Sequence, residues 1–221
     1  MKAKKIFIPL LAVSLFTVTS CSRDNDDTPS SNNSNNNTQT KEVTLDTTDK
    51  TKWKYFSFET GTEVTVTDPK KSLEWDIAFT SYYVKLNGGE SGNGQGEAIN
   101  TNSKDYASVN QAPATGYTKD LKGTMEIGYP PKPQEGTYSS IVSGGFGNTT
   151  GYLNISPSNQ GVWPSVYAPN QWVYILKTAK GKFVKFQVNH YYNDRGKAGY
   201  PKFKYQVSSC LLYTSDAADE E

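Results

Sequence analysis

Between Leu73 and Phe79 the side chains of Trp75, Ile77 and Phe79 alternate with Glu74, Asp76 and Ala78. That period of two is the pattern of a half-buried strand. Trp and Phe each bury roughly 150–250 Å², so this strand predicts the centre of a core. The same run continues through Thr80-Ser81-Tyr82-Tyr83-Val84-Lys85-Leu86-Asn87 and enters Gly88-Gly89-Glu90-Ser91-Gly92-Asn93-Gly94-Gln95-Gly96. So many glycines predict a mobile surface loop, and the pair predicts a scaffold strand that presents something.

Further strand patterns fall at 53–58, 63–67, 138–142, 152–155, 172–177, 183–192 and 202–207. Turns are marked by Asp68-Pro69, by Lys180-Gly181-Lys182 and by Asn193-Asp194-Arg195-Gly196. No amphipathic helix or internal repeat is evident. The expected fold is all-β, a single antiparallel sheet domain over residues 41–209 with long functional loops. Two stretches rich in proline read as those loops. Residues 112–133 carry Met125 and Pro113, Pro130, Pro131 and Pro133; residues 156–170 carry Trp163, Tyr167 and Pro157, Pro164 and Pro169.

The N-terminal residues 1–20 combine Lys2, Lys4 and Lys5 with an apolar run from Ile6 to Val18, which reads as a secretory signal. Val18-Thr19-Ser20-Cys21 resembles the lipobox of bacterial lipoproteins, in which Cys21 becomes the acylated first residue. Each buried acyl CH₂ contributes about 0.8 kcal/mol, so several chains hold a protein firmly to a membrane. The acidic run after Cys21 resembles a surface-export signal, which points to the outer face of an outer membrane. Residues 21–40 are poor in apolar side chains and read as a lipidated, disordered stalk. At the other end, residues 210–221 resemble a translated sequencing adapter and are taken as a non-native tail.

The whole chain has 23 basic and 22 acidic residues, a formal net charge of +1. Without the signal lysines and the four tail acids the balance is 20 against 18, which argues against nucleic-acid binding. With Cys21 acylated and Cys210 in the tail, no disulfide pair is left. His190 is the only histidine, and alternation from Val184 through Phe186 and Val188 places it on a core face. A Ser-His-Asp or Cys-His centre and a zinc site therefore lack their residues. The glycine run lacks the Lys-Ser/Thr pair of a phosphate cradle. The reading is a binding protein and not an enzyme.

Trp53-x-Tyr55-Phe56-Ser57-Phe58, Trp75-Asp76-Ile77-Ala78-Phe79 and Lys85-Leu86-Asn87-Gly88-Gly89-x-Ser91-Gly92-x-Gly94-x-Gly96 resemble the HmuY-type haem-binding lipoproteins. So do Trp172-x-Tyr174-x-Leu176-Lys177-Thr178, the stretch from Lys180 to Val188, and Tyr191-Tyr192. The resemblance implies an all-β fold that binds haem between loops at one end and passes it to a TonB-dependent outer-membrane receptor. It also implies two axial ligands, histidines or methionines, one from each of two loops. Met125 is the soft donor of the first loop, although a gap-filling core role suits it equally. The second loop offers neither residue type near 159–161, leaving Tyr152 and Tyr167 as the nearest candidates. Tyr117, Tyr129, Tyr152, Trp163 and Tyr167 are the candidate walls of a haem site. The alternative is a non-haem ligand, such as a glycan, on Trp163, Tyr167 and Trp172.

Overall fold

Trp75 and Asp76 are buried together with Ile77, Ala78, Phe79 and Thr80, so this segment is covered on both faces and not half-buried. A computed structural model describes residues 39–127, 132–157 and 165–208. Among them the chain forms fourteen strands and no helix. The all-β expectation holds, but the strands divide among four sheets.

A five-stranded antiparallel sheet runs in the order β1-β14-β13-β12-β6. Its strands are β1 (Lys41–Thr44), β6 (Glu97–Asn100), β12 (Val173–Lys177), β13 (Phe183–Tyr192) and β14 (Ala198–Ser208). Facing it is a four-stranded sheet ordered β3-β2-β4-β5, from β2 (Lys54–Ser57), β3 (Thr62–Val64), β4 (Ile77–Thr80) and β5 (Tyr83–Leu86). The third sheet joins β9 (Gly145–Phe146), β10 (Leu153–Ser156) and β11 (Val166–Pro169), with β9 parallel to β10. The last is a hairpin of β7 (Leu121–Ile127) and β8 (Lys132–Tyr138).

Aromatic side chains fill the space between the two large sheets. Phe79 stacks on Phe203 at 5.7 Å and 12°, and Phe56 meets Phe203 edge-on at 5.4 Å. Burying one such ring stabilises by about 1.5–3 kcal/mol. A second, smaller cluster of Val109, Ala112, Val173, Ile175 and Phe183 covers the outer face of the five-stranded sheet. β12 therefore contributes to both cores, as its unbroken apolar sequence requires.

The sheets are joined by Asp76, whose carboxylate accepts the amides of Phe58 at 2.8 Å and Ala179 at 2.9 Å. Burial pushes this carboxyl above the usual range, and those two N–H groups pull it back. Lys85 is likewise buried, with its ammonium 4.3 Å from the Trp53 ring centre and 4.9 Å from that of Tyr55.

Four expectations are corrected. The glycine run is wound tightly around Asn87, whose side-chain amide donates to Ser72 O and Trp75 O, both at 2.8 Å. It is a packed turn, not a mobile loop. Residues 121–127 and 132–138 are strands where prolines suggested a loop; Pro133 is tolerated because β8 is an edge strand. Residues 139–142 form a turn in place of the expected strand. Finally, His190 is exposed, because register shifts on either side of it break the alternation and bury Tyr191 instead.

Candidate functional site

The aromatic core continues to one end of the molecule. Phe79 leads to Tyr152 at 6.0 Å, Tyr152 to Tyr191 at 6.3 Å, and Tyr191 to Tyr167 at 5.3 Å in a stacked pair. The β4–β5 turn caps this series. Ser81 adopts φ 50°, and its carbonyl accepts both the Tyr191 hydroxyl at 2.9 Å and the Tyr152 hydroxyl at 3.4 Å. A non-glycine residue in that region is strained, and two buried donors hold it there.

Tyr82 and Tyr83 project from this turn. The Tyr82 hydroxyl donates to Glu126 O at 2.8 Å, and the Glu126 amide donates to the Tyr83 hydroxyl at 2.8 Å. Both contacts reach the β7–β8 hairpin. On its other side Tyr82 meets Phe146 edge-on at 6.3 Å. Burial pushes the phenols of Tyr82 and Tyr167 above the usual range, so both are neutral at physiological pH.

Phe146 and Val166 are 50% and 46% exposed, an uncommon investment of apolar surface on the third sheet. Behind Tyr167 lies a cavity of ≈ 170 Å³, lined among others by Lys50, Ser81, Tyr191 and Lys197. Clefts of ≈ 220 and ≈ 400 Å³ lie at the opposite end. Glu59, Lys182 and Val207 line both, Leu73 adds apolar surface to the larger one, and Glu59 pairs there with Lys180 at 2.6 Å.

The sequence-derived candidates are distributed as follows. Met125 lies on the inner face of β7, 2% exposed and in neither hydrophobic cluster, with its thioether packed over Gly136 of the opposite strand. Tyr167 belongs to the aromatic end. Tyr152 is fully buried beneath it, so it supports this end from below. Tyr117 sits in the second cluster, 5.9 Å from Phe183, and is not grouped with the others. Trp172 donates its indole N–H to Thr149 O at 2.7 Å and carries Lys104 over its ring, which occupies one face of the proposed glycan platform. Tyr129, Trp163 and Cys21 lie outside the described residues, as do the signal, most of the stalk and the tail. His190 is near the rim, its ring 6.1 Å from that of Tyr192. Among the described residues no cluster of His, Cys, Asp or Glu could hold a metal ion. Tyr82, Tyr83 and Phe146 were not anticipated; the broken alternation at Tyr82-Tyr83 and the isolated phenylalanine in Gly144-Gly145-Phe146-Gly147 were the available signals.

These features define an all-β binding protein with a tyrosine-rich end bounded by a hairpin and a small sheet. The HmuY protein family model matches residues 49–205, and the chain belongs to that family. A crystal structure provisionally assigned as an HmuY-like haem-binding protein of Bacteroides vulgatus is 25% identical, with TM-score 0.58 over 76% of this chain and 92% of that one. The apo HmuY analogue of Tannerella forsythia is 19% identical, with TM-score 0.57 over 78% and 98%. A provisionally assigned lipoprotein of Bacteroides fragilis is 20% identical, with TM-score 0.54 over 79% and 91%. No match to a curated protein is found.

Proposed function

We propose that this protein captures haem at its tyrosine-rich end and passes it, from a lipid anchor on the outer membrane, to a TonB-dependent receptor. The observation that carries the reading is the pairing of exposed apolar surface with a soft donor. A porphyrin needs apolar walls, and Tyr82, Phe146 and Tyr167 supply them. Iron needs a donor, and the Met125 thioether on the flanking hairpin is one. When bound, haem supplies a metal centre that takes a thioether more readily as ferrous than as ferric iron. Membership of the HmuY family and the haem-binding assignment of the Bacteroides vulgatus relative support the same ligand.

The path of β1 supports presentation away from the membrane. It starts at Lys41 beside Tyr205 and ends at Thr44 beside Lys202, and three residues on the Thr47 amide donates to Gly199 O at 2.9 Å. Gly199 lines the cavity behind Tyr167. At about 3.3 Å per residue the strand covers roughly 10 Å, and the three residues after it continue toward the tyrosine-rich end. The described chain therefore enters the domain at the end opposite the proposed site. Replacing Cys21 by Ser is expected to move the protein from the membrane to the soluble fraction; retention in membranes would remove the anchor from this reading.

Haemin titration tests the ligand. The expected result is a Soret shift that saturates at one equivalent and binding that strengthens on reduction. Met125→Ala is expected to lose the low-spin bands of the reduced complex, and His190→Ala to keep them. Loss of those bands only in the histidine variant would transfer the ligand to the exposed imidazole. Absence of any Soret shift would leave this surface to a non-haem ligand.

A further inference from the structure

If Met125 ligates iron, its thioether must first be uncovered, because it is 2% exposed beneath the hairpin. The hairpin that carries it is a separate sheet: β7 and β8 pair as strands only with each other. At its root three hydrogen bonds tie it to the domain. Asp120 Oδ2 accepts the Leu86 amide at 2.8 Å, Asp120 O accepts the Glu90 amide at 3.1 Å, and the Ser139 amide donates to Val84 O at 2.8 Å. Farther out, Tyr138 contacts Tyr83 at 5.4 Å. Beyond Met125, both backbone polar groups of Glu126 are taken by the hydroxyls of Tyr82 and Tyr83.

We propose that Tyr82 and Tyr83 are positioning residues for Met125: a two-bond latch on Glu126 that holds the hairpin closed over the thioether and releases it for ligand capture. This inference rests on the haem reading for its purpose but not for its mechanics. The latch occupies the residue next to Met125, so opening it frees the segment that carries the donor. The root bonds stay closed and act as the hinge. The strained Ser81 beside the two tyrosines is fixed by Tyr152 and Tyr191, so the fixed half of the latch belongs to the rigid core. Either hydroxyl can be deleted without loss of its ring, which separates the latch from packing.

The test uses the full chain carrying Tyr82→Phe, Tyr83→Phe or both. Met125 is the only methionine besides Met1, so its conversion to sulfoxide by dilute peroxide reports exposure of one thioether. One lost hydrogen bond allows up to about a tenfold rise in the open population. Each single variant is therefore expected to oxidise at Met125 about fivefold faster, and the double variant faster still. Amide exchange should rise over 124–127 and stay unchanged over 184–188 in β13. Equal acceleration in both regions would mean general destabilisation, and an unchanged oxidation rate would mean that nothing is latched; either result overturns the proposal. Haemin titration of the same variants separates the two readings. Faster oxidation without any Soret shift would leave the latch standing and sink haem. A Soret shift with unchanged oxidation would do the reverse.

Discussion

Gly96→Ala is expected to destabilise the domain by about 4 kcal/mol or more, among the largest effects of a single substitution. A Cβ at Gly96 would lie 2.6 Å from the carbonyl carbon of Asn87 and 2.7 Å from its amide nitrogen and oxygen. All three are backbone atoms and cannot rotate aside. Gly96 also donates its amide to Asn87 O at 2.7 Å, so the approach cannot widen without losing that bond. Gly88 is confined in the same way by Gly96, whose amide nitrogen would be 2.6 Å from the added carbon. Asn87 lies between them, fully buried, with its carboxamide oxygen accepting the Gly94 amide at 3.2 Å. Gly145→Ala is the matched control, since its Cβ would meet nothing nearer than 3.7 Å. Urea unfolding of the three proteins decides the matter. If Gly96→Ala falls within 1 kcal/mol of the parent, in the range typical of surface substitutions, the turn is not the packed element described here.

That turn also shows where sequence reading stops. A run of glycines has the same composition whether it is loose or coiled tightly against a backbone. What decides is Asn87, a buried amide with matched carbonyls, and burial is not written in the run itself. By contrast, alternation at Trp75, Ile77 and Phe79 marked a true core segment, and Phe183–Tyr192 is a strand over its whole expected length. The turns at Gly181 and Gly196 were legible because both adopt φ above 70°. His190 was misplaced because a bulge reverses the face of every later side chain, and alternation carries no sign of it. The β7–β8 hairpin was read as a loop because proline weighs against strands, although an edge strand accepts it. In the candidate site Met125 and Tyr167 were named from residue type together with the two-loop ligand arrangement that the family resemblance implies. Tyr82 and Tyr83 were absorbed into one long strand, since the break in alternation there is the single mark of the turn at Ser81 and no glycine or proline accompanies it.

At pH 8, Asp120→Asn is expected to be more stable than the parent, by up to about 4 kcal/mol. Asp120 is 4% exposed, and burial pushes its carboxyl up to about 7 from the ordinary 3.8. Each unit of that displacement corresponds to about 1.36 kcal/mol. Between about pH 4 and pH 7 the folded protein holds a proton that the unfolded chain gives up, so stability falls as pH rises and levels off above about 7. Ser91 lies beside the carboxyl and favours its charged form, yet Asp120 Oδ1 and Ser91 Oγ both lack a partner of good hydrogen-bond geometry. An asparagine keeps an acceptor for the Leu86 amide, removes the buried charge and offers Ser91 an N–H. Lys85 opposes the gain: burial pushes its amine down to about 8, and the Asp120 carboxylate is the charge that favours its ammonium. Stability from Lys85 is recovered as pH rises from about 8 toward 10.5, so these two groups together place a minimum between about pH 7 and 8. Urea midpoints of parent and variant at pH 5, 7 and 8 measure the balance. The difference should be small at pH 5, where Asp120 is protonated, and largest at pH 8. A variant less stable than the parent at pH 8 would show that attraction between Asp120 and Lys85 outweighs the burial of the carboxylate.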